Sequence, residues 1–261
     1  MHISLHGKHA LVGGSSRGIG LAIGKQLAMS GARVTLAARS EDLLQSQVAQ
    51  LNQETGITHQ YRVVDYTQPD AYRAMIDTLL DTDPVDILVN NTQGPSAGTA
   101  LEMASEDYQQ AFDLLFQNAV YATLKAIPHM QTEGWGRIIN VASVSVKEPL
   151  SYLALSNSMR SALVSWGKTL AGDVGPFGIT VNSILTGYFD TERLAALNAK
   201  KGVQMGIPAE EVTEKLKTLV PLRRLGKPEE YGYLTAFLAS DLASYLTGTA
   251  IPLDGGLLKS V

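Results

Sequence analysis

The strongest constraint on the fold lies between residues 8 and 20. An apolar run, Ala10-Leu11-Val12, gives way to Gly13-Gly14-Ser15-Ser16-Arg17-Gly18-Ile19-Gly20, and a helical pattern opens at Leu21. A strand that breaks into a glycine loop and restarts as a helix aims bare backbone N–H groups at one point, which suits a pyrophosphate. Gly14 permits the tight turn, Gly18 removes the Cβ that would block close approach, and Gly20 lets the helix lie on the sheet. The loop therefore predicts a nucleotide cofactor, with Ser16, Arg17 and Ile19 beside it.

Strand-like runs at 10–13, 33–38, 60–64, 87–90, 137–142 and 180–185 alternate with amphipathic segments such as 41–54, 69–80 and 106–130. Such alternation implies a parallel sheet covered by helices on both faces, an α/β doubly wound architecture. With 261 residues, 45% of them hydrophobic, the chain can bury one large core. No linker, repeat or low-complexity tract divides it, so residues 1–261 are expected to form a single dinucleotide-binding Rossmann domain. Residues 188–225 depart from the alternation as a helical insertion of mixed polarity, carrying Lys200-Lys201-Gly202 and Gly206-Ile207-Pro208. Following the sixth strand, this segment is expected to act as a lid over the crevice.

Composition excludes several functions. The net charge is −4 and the Lys and Arg residues are scattered, which leaves no electrostatic footprint for nucleic acid or an anionic membrane. The absence of cysteine excludes disulfides, thiolate zinc sites and thiol nucleophiles, and no metal site is expected. No apolar run approaches the ~18 residues of a membrane span. A soluble cytoplasmic protein with a small-molecule substrate is the expectation.

Charge also argues for one cofactor over another. In a sheet of this type the residue ending the second strand faces the adenosine ribose, and an acid there binds the free hydroxyls of NAD. Ala38 occupies that place; Arg39 follows it and Arg17 lies in the glycine loop. Two guanidinium groups suit the 2′-phosphate of NADP, so NADP(H) is predicted over NAD(H).

Further landmarks follow in order: Asp65-Tyr66-Thr67, Asn90-Asn91-Thr92-Gln93-Gly94, Ile138-Ile139-Asn140-Val141-Ala142-Ser143, Asn182 to Gly187, Thr191, Pro221 to Glu230, and Asp254-Gly255-Gly256. With the glycine loop they make the chain resemble the short-chain dehydrogenase/reductase family, in its 3-oxoacyl-(acyl carrier protein) reductase-like branch, over nearly its whole length. The resemblance implies a mostly seven-stranded Rossmann sheet with a helical substrate lid. It implies adenine contacts from Asp65 and Tyr66 and cofactor contacts from Asn91, Gly187 and Thr191. It also implies a homodimer or homotetramer built on the helices at 106–130 and 153–174.

The family reduces carbonyls with a tyrosine that donates a proton, a lysine four residues later, a serine on the carbonyl oxygen and an asparagine on an earlier helix. Here Ser143 is retained, but Ser156 stands at the tyrosine position, Arg160 at the lysine position and Leu115 at the asparagine position. A serine hydroxyl is far less acidic than a phenol, and a guanidinium keeps the positive charge but cannot readily pass on a proton. Tyr152, taken as one helical turn before Ser156, is the expected surrogate acid, with Tyr188 and then Lys147 as further donors. Asn118 is expected to make a helix-surface or capping bond, and His129 to be structural.

Three functions are compatible with this set. The first is an NADP(H)-dependent oxidoreductase acting on a carbonyl or alcohol, including a 3-oxoacyl thioester. The second is an enoyl or dienoyl C=C reductase of the same fold, since some such relatives also carry serine at the tyrosine position, although they keep the lysine. The third is a catalytically impaired NADP(H)-binding protein.

Overall fold

The apolar runs assemble into one sheet in the computed structural model, which describes residues 3–260. In chain order the elements are β1 (His9–Gly13), α1 (Gly18–Met29), β2 (Arg33–Ala38), α2 (Glu41–Thr55), β3 (Gln60–Val63), α3 (Pro69–Thr82) and β4 (Ile87–Asn90). There follow α4 (Ser105–Phe112), α5 (Asn118–Glu133), β5 (Gly136–Val141), α6 (Ala154–Val174), β6 (Ile179–Thr186), α7 (Glu192–Met205), α8 (Ala209–Leu219), α9 (Pro228–Ala239) and β7 (Ala250–Leu253). All seven strands are parallel, in the order β3-β2-β1-β4-β5-β6-β7. The winding reverses between β1 and β4, and this is where sheets of this type open a ligand crevice beyond the strands' carboxyl ends.

Alternate residues of each strand feed opposite layers, as the period of two requires. Ala10, Val12, Val34 and Leu36 pack under α1, α2 and α9, whereas Leu11, Ala37, Leu88 and Ile138 pack under α3, α5 and α6. Strands β1, β4 and β5 are buried on both faces, and the edge strands β3 and β7 are only partly covered.

Local chemistry sets the helix ends. The α2 helix places Glu41 and Asp42 in its first turn and stops at Gly56, where φ is 70°. The α9 helix has Pro228 at its start, and Glu230 reaches back to accept the Lys227 N–H at 2.7 Å. Between α4 and α5 one π turn, Asp113–Gln117, interrupts an otherwise continuous helix; such turns recur at functional sites.

Two short parallel bridges tie loops together above the sheet, Gly98 with Leu153 and Phe189 with Gly226. The second closes the root of the α7–α8 excursion: Gly226 donates to Tyr188 O at 2.9 Å and Asp190 donates to Gly226 O at 2.8 Å. The expected insertion at 188–225 is thus a pair of helices closed at its base.

Candidate active site

A cleft of about 930 Å³ opens at the carboxyl edge of the sheet. One half is bounded by the β1–α1 loop, the end of β2 and the loop after β4; the other by the end of β5, the start of α6, the end of β6 and α7. The cofactor half is held together by buried polar contacts. Ser15, fully buried, accepts the Ala37 N–H at 2.9 Å and donates to Val12 O at 2.8 Å, locking the glycine loop to β2. Asn91 donates to Gly13 O at 2.9 Å, locking the loop after β4 to the same turn.

The glycine loop fits a dinucleotide. The first turn of α1 carries no acidic residue and Arg17 makes no side-chain cap, so its N–H groups are open to an anion. Gly18 has φ +55°, and a Cβ there would point across the cleft at the Thr191 methyl, 3.5 Å away. Gly20 faces inward: a Cβ would collide with Gly14 O, so this glycine serves helix packing rather than ligand contact. Arg17 and Arg39 both line the cleft beside Ala38; Arg17 is paired with Glu192, whereas Arg39 belongs to no ion pair among the described residues.

Of the residues anticipated at a cofactor, Gly14, Ser16, Arg17, Gly18, Ile19, Arg39, Tyr66, Asn91, Arg160, Gly187 and Thr191 line this cleft, and Gly20 and Asp65 do not. One oxygen of the Asp65 carboxylate, Oδ1, closes its own turn, accepting from the Thr67 N–H at 3.0 Å and the Thr67 hydroxyl at 2.8 Å. Those bonds, with Arg39 nearby, hold it below the usual carboxylate range. Tyr66 is buried, and burial pushes its phenol well up. Thr191 caps α7, accepting the Leu194 N–H at 3.2 Å.

At the far end, Ser143, Tyr152, Ser156 and Arg160 all line the cleft. The Ser143 Oγ accepts the Ser145 N–H at 3.1 Å, and the Ser156 Oγ accepts from Arg160 Nε at 3.2 Å. Each serine oxygen is thereby engaged from behind, and each O–H is left to donate. Arg160 also donates to Val141 O, stapling the end of β5 to the first turn of α6. Burial disfavours its charge, as does the neighbouring Arg193.

Tyr152 is not on the helix that the sequence suggested. It precedes α6 in a turn in which Leu153 donates to Leu150 O at 3.0 Å, and its own carbonyl accepts the Gly98 N–H at 2.8 Å. The bridge to Gly98 pulls this residue out of helical register and places its ring in the cleft, with Lys201 Nζ 5.1 Å from the ring centroid. Burial leaves the Tyr152 phenol above the ordinary phenol value, and the neighbouring Tyr188 offsets this only in part. Tyr188 is pushed up to about 12 by burial and by Tyr152.

Leu115 is buried in the π turn, beside a small cavity of about 20 Å³ that Asn118 and Arg160 also line. Asn118 is not a surface residue: it is 2% exposed and donates to Tyr66 O at 2.9 Å. It shares the inward face with Leu114, Leu115 and Ala122, which lie three or four residues from it. His129 lies against Asp86 at 3.3 Å, away from the cleft, and Lys147 is exposed outside it. Sequence reasoning missed Arg193, which donates to Pro95 O at 3.1 Å across the cleft mouth. Its place on the Arg193, Leu197, Lys200, Lys201 face of α7 was the available signal.

A family model described as enoyl-(acyl carrier protein) reductase matches residues 14–258. The 3-oxoacyl-[acyl-carrier-protein] reductase FabG of Aquifex aeolicus is 30% identical over 258 residues, covering 98% of this chain and 100% of that protein. Gluconate 5-dehydrogenase of Gluconobacter oxydans is 33% identical over 265 residues, covering 99% and 97%. Among solved structures, L-sorbose reductase from Gluconobacter frateurii, complexed with NADPH and L-sorbose, superposes with a TM-score of 0.93 at 33% identity over 100% of both chains. The match in sequence, winding order and site layout runs the length of the molecule, and the chain belongs to the short-chain dehydrogenase/reductase family.

Proposed function

We propose that this protein is an NADP(H)-dependent oxidoreductase that interconverts a carbonyl and an alcohol, with Tyr152 in the role of proton donor. The observation that carries the reading is one continuous cleft. It runs from an uncapped helix start flanked by Arg17 and Arg39 to Ser143, Ser156 and Tyr152. NADPH, when bound, supplies the hydride to the carbonyl carbon. The two serine O–H groups bond the carbonyl oxygen, and Arg160 adds a fixed positive charge behind Ser156. The Tyr152 phenol delivers a proton to that oxygen, with Tyr188 lining the cleft beside it.

The helices α4, α5 and α6 are proposed to form the contact of a homodimer or homotetramer, supported by Leu124, which is 55% exposed on α5. The α7–α8 pair is proposed as the lid. Among the described residues no helix is long and apolar enough to cross a membrane; the cytoplasm is the proposed compartment. A second reading, reduction of a conjugated C=C bond, is favoured by Ser156 at the tyrosine position with Arg160 behind its hydroxyl.

The test is NADPH oxidation with 3-oxoacyl thioesters, simple ketones, sugar ketones and enoyl thioesters. Carbonyl turnover that falls roughly 10²–10⁴-fold in Tyr152→Phe, with NADPH affinity kept, supports the main reading. Turnover of enoyl thioesters alone moves the assignment to the second. Tight NADPH binding without turnover of any of them points to a non-catalytic binder.

A further inference from the structure

Six cationic side chains line the cleft, Arg17, Arg39, Arg160, Arg193, Lys200 and Lys201, against two acids, Glu102 and Glu192. The chain as a whole has a net charge of −4, so the cleft inverts the sign of the molecule. Arg17 and Arg39 belong to the cofactor half. Arg160, Arg193, Lys200 and Lys201 lie on the α6–α7 side, and none joins an ion pair among the described residues. The acid on that side, Glu102, turns its carboxylate to the Thr99 N–H at 2.8 Å, and Lys200 acts on it only through space.

The α7 helix presents its cations along one face. Arg193, Leu197, Lys200, Lys201 and Gln204 recur at intervals of three and four, so they share one face, and all five line the cleft. Arg193 and Lys200 are exposed within the open cleft, and Lys201 is half-buried. Here Lys201 lies over the Tyr152 ring, and Arg193 crosses to Pro95 on the opposite lip while standing near enough to Arg160 to oppose its charge. Two neighbouring guanidinium groups without a carboxylate repel one another, and an anion placed between α7 and the serines relieves that repulsion.

We propose that the substrate is an anionic carbonyl compound, its carboxylate or phosphate held by Arg193 and Lys201 while its carbonyl lies against Ser143, Ser156 and Tyr152. This rests on the oxidoreductase reading above and adds the charge of the substrate to it. Because Lys201 lies directly over the Tyr152 ring, the anionic group and the reacting carbonyl are separated by a short chain.

The test uses the NADPH-loaded full-length protein and two matched pairs: 4-oxopentanoate with its methyl ester, and dihydroxyacetone phosphate with dihydroxyacetone. Binding is followed by NADPH fluorescence and turnover by absorbance. At least one anion is expected to bind tenfold or more tightly than its neutral partner, and which pair shows it separates carboxylate from phosphate recognition. In Arg193→Ala/Lys201→Ala that preference is expected to collapse to less than threefold with NADPH affinity within a factor of two of the parent. Lys201→Arg is expected to retain most of it. Equal or tighter binding of the neutral partners, or no binding of either pair to the NADPH complex, overturns the proposal while leaving the oxidoreductase reading intact. Failure to bind NADPH at all defeats that reading itself.

Discussion

Replacing Arg39 by alanine tests the cofactor assignment at its most exposed point. The residue follows directly on β2, lines the cleft and belongs to no ion pair among the described residues, whereas Arg17 already faces Glu192. A charge-assisted bond to a phosphate contributes ~1.5–3 kcal/mol when desolvated. Arg39 is solvent-exposed, so screening brings its share to about 1–2 kcal/mol. At ~1.4 kcal/mol per factor of ten, Arg39→Ala should weaken NADPH about 5- to 30-fold. NADH has no 2′-phosphate, and its affinity should move by less than twofold. Arg17→Ala should cost less, because Glu192 competes for that guanidinium, and Glu192→Gln should tighten NADPH a few-fold by releasing it. Fluorescence titrations with both nucleotides at low and high salt measure all of this, and the Arg39 effect should shrink as salt rises. Equal losses for NADPH and NADH, or no loss for either, would refute the assignment of Arg39 to the 2′-phosphate.

With Tyr152 as the proposed donor, reduction draws on its protonated form, whose pKa is raised above the ordinary phenol value, so reductive kcat/KM should stay flat from about pH 6 to 9. Oxidation requires the phenolate and should still be rising at about pH 10; a reductive limb falling near neutrality would assign the proton to another group. Asn118→Ala removes the buried donor to Tyr66 O and should cost about 1–3 kcal/mol in urea unfolding, with the m-value unchanged. Glu230, held down to about 2 by Arg224 and the Lys227 N–H, stabilises the start of α9 above the ordinary Glu pKa and loses that contribution as pH falls toward 2. Glu230→Gln should therefore lower the melting temperature at pH 7, with an effect that fades as pH falls through about 2.

The inner strands could be read from the chain because they are buried on both faces: 33–38 and 87–90 coincide with β2 and β4 to the residue, whereas the partly covered edge strand β7 gave no such run. The glycine loop was equally legible, since each glycine answers a local steric demand. The path between Phe112 and Asn118 was not legible. A π turn leaves the apolar spacing almost unchanged, so a continuous helix was the natural reading and Asn118 looked superficial. Tyr152 was misplaced for a related reason: the bridge from Gly98, distant in sequence, sets the start of α6, and no local pattern announces it. Asp65 matched a motif by type; its Oδ1 closes the turn with Thr67, outside the lining of the cleft. Whether a charge on α7 faced solvent or ligand depended on how that helix lies over Tyr152, which only the folded chain decides.

The bridge between Phe189 and Gly226 makes residues 190–225 an interchangeable part. Their two ends already meet in backbone hydrogen bonds and loop-closure entropy changes only slowly with length, so a replacement has chiefly to keep the contacts that Glu192, Arg193 and Leu222 make outside the segment. A different helical pair grafted on this root would meet the same dinucleotide half and the same serines with new walls. On the proposed roles of the cleft and the α7–α8 pair, chemistry and selectivity would be carried by separable segments of one chain, and selectivity could drift without the core having to follow.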